Sequence, residues 1–248
     1  MNYDPIKERV SAVFETTPAL QKLFYRLLDL LLLRAWHIQR ELKQWGTLNQ
    51  GAKQILDAGS GFGQYTYFMA RRFPDAQMLG VDVKEEEVAN SRKFFEKVGM
   101  DHVRFETADL TTFQHPDTYD LVLSVDVMEH IEPDVQVFRN ICHSLKPGGM
   151  LLISTPSDQG GSDVQSEEDE SFIGEHVRDG YGIREIKDKL YEAGFSRVKA
   201  RYSYGAPGKV SWRLSMKYPI LMLNWSKAMF AVLPFYYLVV YPFCFILN

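Results

Sequence analysis

Short apolar runs alternate with longer, mixed segments through the middle of the chain. The runs are Ile55–Leu56, Met78–Val83, Val103–Asp109, Tyr119–Asp126 and Met150–Ser154. Apolar runs of this length, bounded by turn residues, are typical of buried parallel strands. Strands that alternate with helices predict an α/β fold, a mostly parallel sheet with helices on both faces.

The N-terminal arm has the spacing of a helix. Apolar residues recur at intervals of three and four from Leu20 to Ile38, which predicts one long helix over Leu20–Gln44. Additional leucines and Trp36 widen its apolar face beyond a simple stripe. We expect this helix to lie over the edge of the sheet as a lid, with core packing favoured over contact with lipid.

An uncharged stretch occupies Ala228–Leu247. About twenty apolar residues match a hydrocarbon layer of ~30 Å, and tyrosines such as Tyr236 favour the membrane interface. Pro234 and Pro242 disfavour one straight spanning helix. The stretch therefore predicts a shallowly inserted or re-entrant helix pair. A buried helix, or a closing strand of the sheet at Tyr236–Tyr241, remains the alternative.

Charge is distributed unevenly along the chain. Residues 196–248 hold seven of the 28 lysines and arginines and none of the 32 acidic residues. Such asymmetry indicates a surface that meets anions, either a membrane or a nucleic acid. The neighbouring apolar stretch favours a membrane with anionic headgroups and no nucleic acid.

The cysteines and the N-terminus bear on the cellular compartment. Cys142 and Cys244 have no paired spacing, which predicts neither a disulfide framework nor a zinc site and suits a reducing compartment. The first residues lack the apolar core of a signal peptide. We expect a cytoplasmic protein, peripheral on the inner membrane surface.

The most informative motif follows the first apolar run. Asp57 precedes a turn with Gly59, Gly61 and Gly63. Glycines at this spacing allow unusual dihedral angles and a close approach of the backbone to a ligand. The spacing differs from the G-x-G-x-x-G dinucleotide fingerprint, and an acid at this point suits a ligand with a cationic end. A nicotinamide oxidoreductase is therefore disfavoured.

The order of these features resembles the class I S-adenosylmethionine-dependent methyltransferases over Gln54–Ser157, and more weakly over Tyr181–Tyr204. The resemblance implies a Rossmann-like sheet of the seven-stranded type, with Arg197–Tyr204 as the first strand of a closing hairpin. Its second strand is expected to lie beyond Asn248. The implied cofactor is S-adenosyl-L-methionine. The implied cofactor-binding residues are Asp57, Gly59, Ser60, Gly61, Gly63, Asp82, Val83, Asp109, Leu110, Ser124 and Val125.

Each of these residues has an implied role. The glycines would wrap the methionine part of the cofactor, with Asp57 near its amino group, although Asp57 could instead only cap the turn. Ser124 and Val125 would offer backbone near the amino acid end. Asp82 would hold the ribose, and Val83 would lie against the adenine. Asp109 would accept a hydrogen bond from the adenine amino group, although it could instead cap a helix.

Candidate catalytic residues follow the fourth strand. The segment from Asp126 to Glu129 and His130 resembles the acid-x-x-Glu-His motif of the quinone-biosynthesis O-methyltransferases, which binds a divalent metal. Those enzymes have glutamate where this chain has Asp126, so we predict no metal. A general-base role for His130, with Glu129 beside it, competes with the view that both residues only begin the next helix.

A polar stretch between Pro156 and Tyr181 contains further candidates. Resemblance to lipid- and sugar-cluster methyltransferases implies that it borders the acceptor pocket. His176 and Arg178 would then be substrate contacts, or His176 a base. The alternative is a loop anchored by hydrogen bonds.

The sequence thus predicts a methyltransferase that acts, at oxygen, on an apolar or lipid-like small molecule at a membrane surface. We expect a helical arm over 1–50, a cofactor-binding domain over 51–205 and a membrane-associating segment over 206–248. Two alternatives remain. The acceptor could be a soluble small molecule, with a structural C-terminal segment, or the chain could be a non-catalytic, membrane-anchored module that binds S-adenosylmethionine.

Overall fold

The structure is a computed structural model. It describes residues 17–49, 51, 53–159, 177–178, 180–203, 205–226, 229 and 232–247. The strands are β1 (Gln54–Ala58), β2 (Gln77–Asp82), β3 (Val103–Thr107), β4 (Tyr119–Val125) and β5 (Leu145–Ser154). The helices are α1 (Pro18–Leu31), α2 (Leu33–Leu48), α3 (Gln64–Arg72), α4 (Glu85–Lys97), α5 (Asp134–Ser144), α6 (Ile183–Glu192), α7 (Ala206–Trp212), α8 (Tyr218–Trp225) and α9 (Leu233–Leu247).

Within the described residues, the five strands form one parallel sheet in the order β3-β2-β1-β4-β5. Register places Ala58 beside Val81 and Val125 beside Ser154. The carboxyl ends of the parallel strands therefore meet at one edge. In open α/β sheets this edge is where ligands bind. The predicted α/β class is confirmed, with five strands where seven were expected.

Apolar side chains cover both faces of the sheet. On one face, Leu56 and Val122 pack with Phe138 and Ile141 of α5 in a fully buried cluster. Aromatic rings pack between α4 and β3, where the ring centroids of Phe95 and Phe105 lie 4.8 Å apart. The central strand β4 is buried along nearly its whole length, as expected where both faces are covered, whereas the edge strand β3 alternates between buried and exposed residues.

By its internal contacts the chain divides into two compact units. The sheet unit comprises residues 1–24 and 42–200, and the helical unit comprises residues 25–41 and 201–248. Within the helical unit, Trp36 packs edge-on against Tyr241 at 5.6 Å and also contacts Phe245 at 5.4 Å. None of the helices in the described ranges is long and apolar enough to cross a membrane.

The N-terminal arm forms two helices where one was predicted. The break falls at Leu32, between α1 and α2. The indole nitrogen of Trp36 donates to the carbonyl oxygen of Asp29 at 2.9 Å. In an unbroken helix that carbonyl would accept the amide of Leu33, so the side chain interrupts the helical hydrogen-bond pattern.

Three other local predictions are wrong. Residues 197–203 form no strand, although Val198 and Ala200 pack against the core. The possible closing strand at Tyr236–Tyr241 lies inside α9. The fifth strand, expected over Met150–Ser154, begins earlier, at Leu145, and its pairing with β4 is irregular between Tyr119 and Leu121.

Candidate active site

The glycine turn after β1 has the backbone form that its sequence indicated. Gly59, Gly61 and Gly63 have φ angles of 81°, 49° and 80°, a region that side-chain-bearing residues rarely adopt. The amides of Gly59 and Ser60 both donate to the carbonyl oxygen of Val81 at 2.9 Å. A Cβ added at Gly61 would meet nothing within 4 Å, so the turn borders open space at the carboxyl edge.

Asp82, at the end of β2, holds this turn. Its Oδ2 accepts the amide of Gly61 at 2.8 Å, and its Oδ1 accepts the amide of Lys84 at 3.0 Å. A carboxylate offers about four acceptor positions. The geometry therefore leaves room for the predicted bonds to ribose hydroxyls in addition to the structural ones.

Asp57 lies buried beneath the turn. Its Oδ2 accepts a hydrogen bond of 2.5 Å from the hydroxyl of Thr66 on α3. Burial raises the pKa of Asp57 to about 7, against the lowering effect of the Thr66 bond, and the charge of Asp82 adds to the rise. A cationic group bound nearby would stabilise the ionised form. Asp57 is thus suited to the amino group that the resemblance assigns to it.

Val83 and Asp109, the residues implied to contact the adenine, are both exposed but have different local contacts. Val83 is 55% exposed beside Asp82, as an apolar platform for an aromatic base would be. Asp109 is exposed, and its Oδ1 accepts both the amide and the hydroxyl of Thr111 at 2.8 Å. Asp109 therefore caps a turn, since no described helix begins there, and its bond to the adenine amino group stays a prediction. Leu110 is buried in the core cluster.

Two hydroxyls at this edge are buried without a hydrogen-bond partner within the described structure. They belong to Ser60, in the glycine turn, and to Ser124, near the end of β4. Buried polar groups are usually satisfied. Together with the open space over Gly61, these two hydroxyls fit a polar ligand at the turn. Val125 is also buried there.

The chain turns sharply after β4. Asp126 has a φ of 53°, uncommon for a residue other than glycine, and a short 3₁₀-helix follows over Met128–His130. Val127 packs against the glycine turn, since a Cβ on Gly59 would lie 2.2 Å from its side chain. The segment that carries His130 therefore lies directly against the glycine turn.

The candidate catalytic residues differ in accessibility. Glu129 is buried, and its Oε2 accepts a hydrogen bond from the hydroxyl of Thr155 at 3.1 Å. His130 is half-buried. His176 lies outside the described residues. Across the described ranges no three His, Cys, Asp or Glu side chains are gathered to hold a metal ion, and this includes Asp126, Glu129 and His130.

Arg178 meets protein groups at this site. Its guanidinium forms an ion pair with Asp134, which is almost fully buried. Tyr181 and Lys189 also donate to Oδ2 of Asp134, each at 2.7 Å. Asp134 and Lys189 were not predicted as members of this site, because residues so far apart along the chain form no sequence motif.

A methyltransferase-domain family profile matches residues 49–194, more than half of the chain. The chain belongs to this methyltransferase family. Phosphoethanolamine N-methyltransferase 1 of Triticum aestivum is 32% identical over 153 residues, 61% of this chain and 30% of that protein. A ubiquinone biosynthesis O-methyltransferase of Aeromonas salmonicida is 32% identical over 136 residues, 49% of this chain and 56% of that protein.

Solved structures agree with the methyltransferase fold. Phosphoethanolamine N-methyltransferase 2 of Haemonchus contortus, in complex with S-adenosyl-L-methionine, has a TM-score of 0.63 and 20% identity. The match covers 79% of this chain and 44% of that one. The chain thus spans less than two thirds of the length of both phosphoethanolamine methyltransferases that it resembles.

The cofactor of this methyltransferase is S-adenosylmethionine, which supplies an electrophilic methyl group on a sulfonium. The glycine turn and Asp82 have a geometry that fits it, and Asp57 and Val83 would face its ammonium and its base if the predicted roles hold. A nucleophile bound next to the turn would need correct placement, which supplies much of the rate of a displacement.

Proposed function

We propose that the protein methylates an oxygen of an apolar or lipid-like acceptor at the cytoplasmic surface of a membrane. The observation that carries this proposal is the polarity of the C-terminal helices, residues 206–247. Among their described residues Ser211 and Ser215 are fully buried, whereas many large apolar side chains are exposed. Soluble proteins show the opposite arrangement.

Polar groups lie between these helices. The hydroxyl of Ser211 donates to the carbonyl oxygen of Cys244 at 2.9 Å. The hydroxyls of Tyr236 and Tyr237 donate to the carbonyl oxygens of Leu214 and Ser215, at 2.7 and 2.8 Å. Helices that face lipid pack through such small and hydroxyl-bearing residues, because their apolar side chains need no shelter from lipid.

Large apolar side chains occupy the outer surface of the same helices. Leu238 and Ile246 of α9 are 78% and 79% exposed, and Trp225 at the end of α8 is 82% exposed. Phe235 and Phe243 are exposed on α9 as well. An apolar surface of this kind marks a site of contact with a protein or a membrane.

The charges of this region favour the membrane. Lys209 and Arg213 are exposed on α7 and the turn after it, and residues 196–248 contain no acid. Each basic residue near an anionic bilayer contributes about 1 kcal/mol to binding. With 15 residues, α9 is about 22 Å long, shorter than the hydrocarbon layer, which suits shallow insertion.

The chemistry of the site is compatible with a hydroxyl acceptor. A hydroxyl nucleophile needs a base, and His130 lies on the segment packed against the cofactor turn. The relatives also support a second candidate, methylation of the amine of an ethanolamine-type acceptor, because several of them are named phosphoethanolamine N-methyltransferases.

One experiment tests location and chemistry together. The purified chain is floated with neutral and with anionic vesicles that contain a total lipid and quinone extract, in the presence of methyl-labelled S-adenosylmethionine. The proposal expects salt-sensitive binding to anionic vesicles and label in an apolar, alkali-stable ether product.

Other outcomes point elsewhere. Label on ethanolamine-containing lipid would support the N-methylation candidate. Label only when water-soluble phosphoethanolamine is added would support a soluble acceptor. Cofactor binding with no labelled product from either source would support the non-catalytic module. A full chain that does not bind vesicles and stays monodisperse without detergent would contradict the membrane proposal.

A further inference from the structure

The short segment Val177–Arg178 holds the turn that carries His130. The amide of Val177 donates to the carbonyl oxygen of Glu129 at 2.9 Å. The guanidinium of Arg178 donates from Nη1 to the carbonyl oxygen of Met128 and from Nη2 to that of Glu132, each at 3.0 Å. The guanidinium therefore binds the backbone on both sides of His130.

Arg178 is itself held by a buried carboxylate. Oδ2 of Asp134 accepts Nη1 of Arg178 and also accepts Tyr181 and Lys189. Burial alone would raise the pKa of Asp134, but the bonds from Lys189 and Tyr181 and the charge of Arg178 lower it below its usual value. Asp134 is thus ionised at neutral pH and fixes the guanidinium in one orientation.

Arg178 and its neighbour Tyr181 also join two loops at the carboxyl edge of the sheet. Tyr181 forms an isolated parallel bridge with Ser157, and its amide donates to the carbonyl oxygen of Pro156 at 3.0 Å. Pro156 follows β5, and His130 follows β4. Arg178 and Tyr181 therefore fasten the chain that leaves β5 to the turn that leaves β4.

We propose that Arg178 and Asp134 are positioning residues for methyl transfer. They act through His130, so this inference rests on the proposed role of His130 as a base. A base must lie within hydrogen-bond reach of the proton that it removes, and a displacement of about 1 Å can cost roughly 100-fold in rate. Arg178 was predicted as a substrate contact, whereas its guanidinium nitrogens bind Asp134 and two backbone carbonyls.

Arginine is required for this role because its planar fork reaches both carbonyls and the carboxylate together. Lysine would bring one point charge to the same place and could not bind both sides of the turn. In Arg178→Gln, Asp134 would keep Lys189 and Tyr181 as partners. The buried carboxylate would stay paired, so the domain should still fold.

The acceptor-independent test is hydrogen exchange with S-adenosylhomocysteine bound. The amides of His130 and Ile131 donate to the carbonyl oxygens of Val127 and Met128. In Arg178→Gln we expect these amides to exchange at least about tenfold faster, with S-adenosylhomocysteine affinity changed by less than about twofold. The matched control is Arg139→Gln, which removes an exposed ion pair from α5 to Glu192 at 2.6 Å. Equal exchange in the two variants would overturn the proposal.

A double-mutant cycle tests the link to catalysis. With labelled S-adenosylmethionine and the lipid and quinone extract, Arg178→Gln should lower turnover about 10- to 100-fold in the native background, and Arg178→Lys should restore little of it. In the His130→Ala background the same substitution should have almost no effect. Multiplicative losses would contradict action through His130.

The two proposals can fail separately. Full turnover in His130→Ala would end the proposed base role and, with it, the positioning role of the clasp formed by Arg178 with Asp134. An extract that yields no labelled product would leave the decision to hydrogen exchange. Asp134→Asn, which weakens the same clasp from its other side, should accelerate exchange at His130 and Ile131 as well.

Discussion

The sheet unit and the C-terminal helices differ in where they place their apolar side chains. In the sheet unit, residues such as Leu56, Leu121 and Leu123 are fully buried. In the C-terminal helices, Ser211 and Ser215 are fully buried, whereas Leu238 and Ile246 are among the most exposed residues. The first arrangement is stabilised by removing apolar surface from water. The second leaves apolar surface exposed, which is the basis of the proposed membrane contact.

This contrast shows that hydrophobicity alone does not say where a side chain lies. Both regions are apolar in sequence and both form regular elements, although the helix pair expected within Ala228–Leu247 is, in the described residues, one long helix over Leu233–Leu247 that contains Pro242. What separates them is which positions touch other parts of the chain. Substitutions at positions of each kind therefore test the difference between the two regions.

The largest effect should come from truncating leucines in the two regions. Leu121→Ala removes a fully buried side chain and should lower the free energy of unfolding by about 2–5 kcal/mol. Leu238→Ala should change it by less than about 0.5 kcal/mol while weakening vesicle binding. Urea denaturation and flotation measure the two quantities. Equal destabilisation by both substitutions would mean that α9 belongs to a core.

Substitution in the glycine turn should have an effect nearly as large, on the affinity for S-adenosylhomocysteine. Gly59→Ala places a Cβ 2.2 Å from Val127 at a φ of 81°, and we expect at least about 100-fold weaker binding of S-adenosylhomocysteine by calorimetry. Gly99→Ala is the matched control, since its φ is 70° but a Cβ there meets nothing within 4 Å. If both variants bind normally, the turn does not hold the cofactor.

Cofactor binding should also depend on pH through Asp57. Its pKa of about 7 means that the carboxyl group is protonated below neutrality in the free protein. Pairing with the cofactor ammonium requires the ionised form, so binding releases a proton there. Affinity should therefore rise about tenfold per pH unit between pH 5 and 7 and then level off. Asp57→Asn should bind more weakly at pH 8 and show a flat profile. A slope unchanged in that variant would assign the titration to another group.

The smallest expected effect concerns the polar interior of the C-terminal helices. Tyr237→Phe removes the hydroxyl that donates to the carbonyl oxygen of Ser215 and should cost about 1 kcal/mol of stability in detergent micelles. Tyr191→Phe, at a half-exposed position of α6, is the control and should have no measurable effect. An unchanged melting temperature for Tyr237→Phe would weaken the case for a polar interior.

Local backbone demands explain which predictions were accurate. The glycine turn was predictable because Gly59, Gly61 and Gly63 can adopt positive φ angles without a side-chain clash. The helix break at Leu32 was not, since it depends on an indole that competes for a carbonyl oxygen three residues before the break. The prediction of a strand after residue 196 was wrong because strand pairing depends on distant parts of the chain, which local composition does not reveal.

The sequence located the glycines and acids of the turn after β1, but it did not reveal the group of side chains around Asp134. Acids at strand ends, such as Asp57 and Asp82, signal their position through the apolar runs that precede them. Asp134 and Lys189 come from separate helices and meet only when the sheet forms. Each belongs to an ordinary amphipathic pattern, so nothing in the sequence marks it.

The bridge between Ser157 and Tyr181 has a consequence for how this enzyme could diversify. Gly180, with a φ of 136°, allows the chain to pass so close to Pro156 that a Cβ would lie 2.8 Å from its carbonyl oxygen. Chain inserted between these two fixed points would begin and end at the same places. Since each doubling of loop length costs only about 0.6 kcal/mol, the chain between them could change in length and sequence at little cost to the stability of the sheet unit.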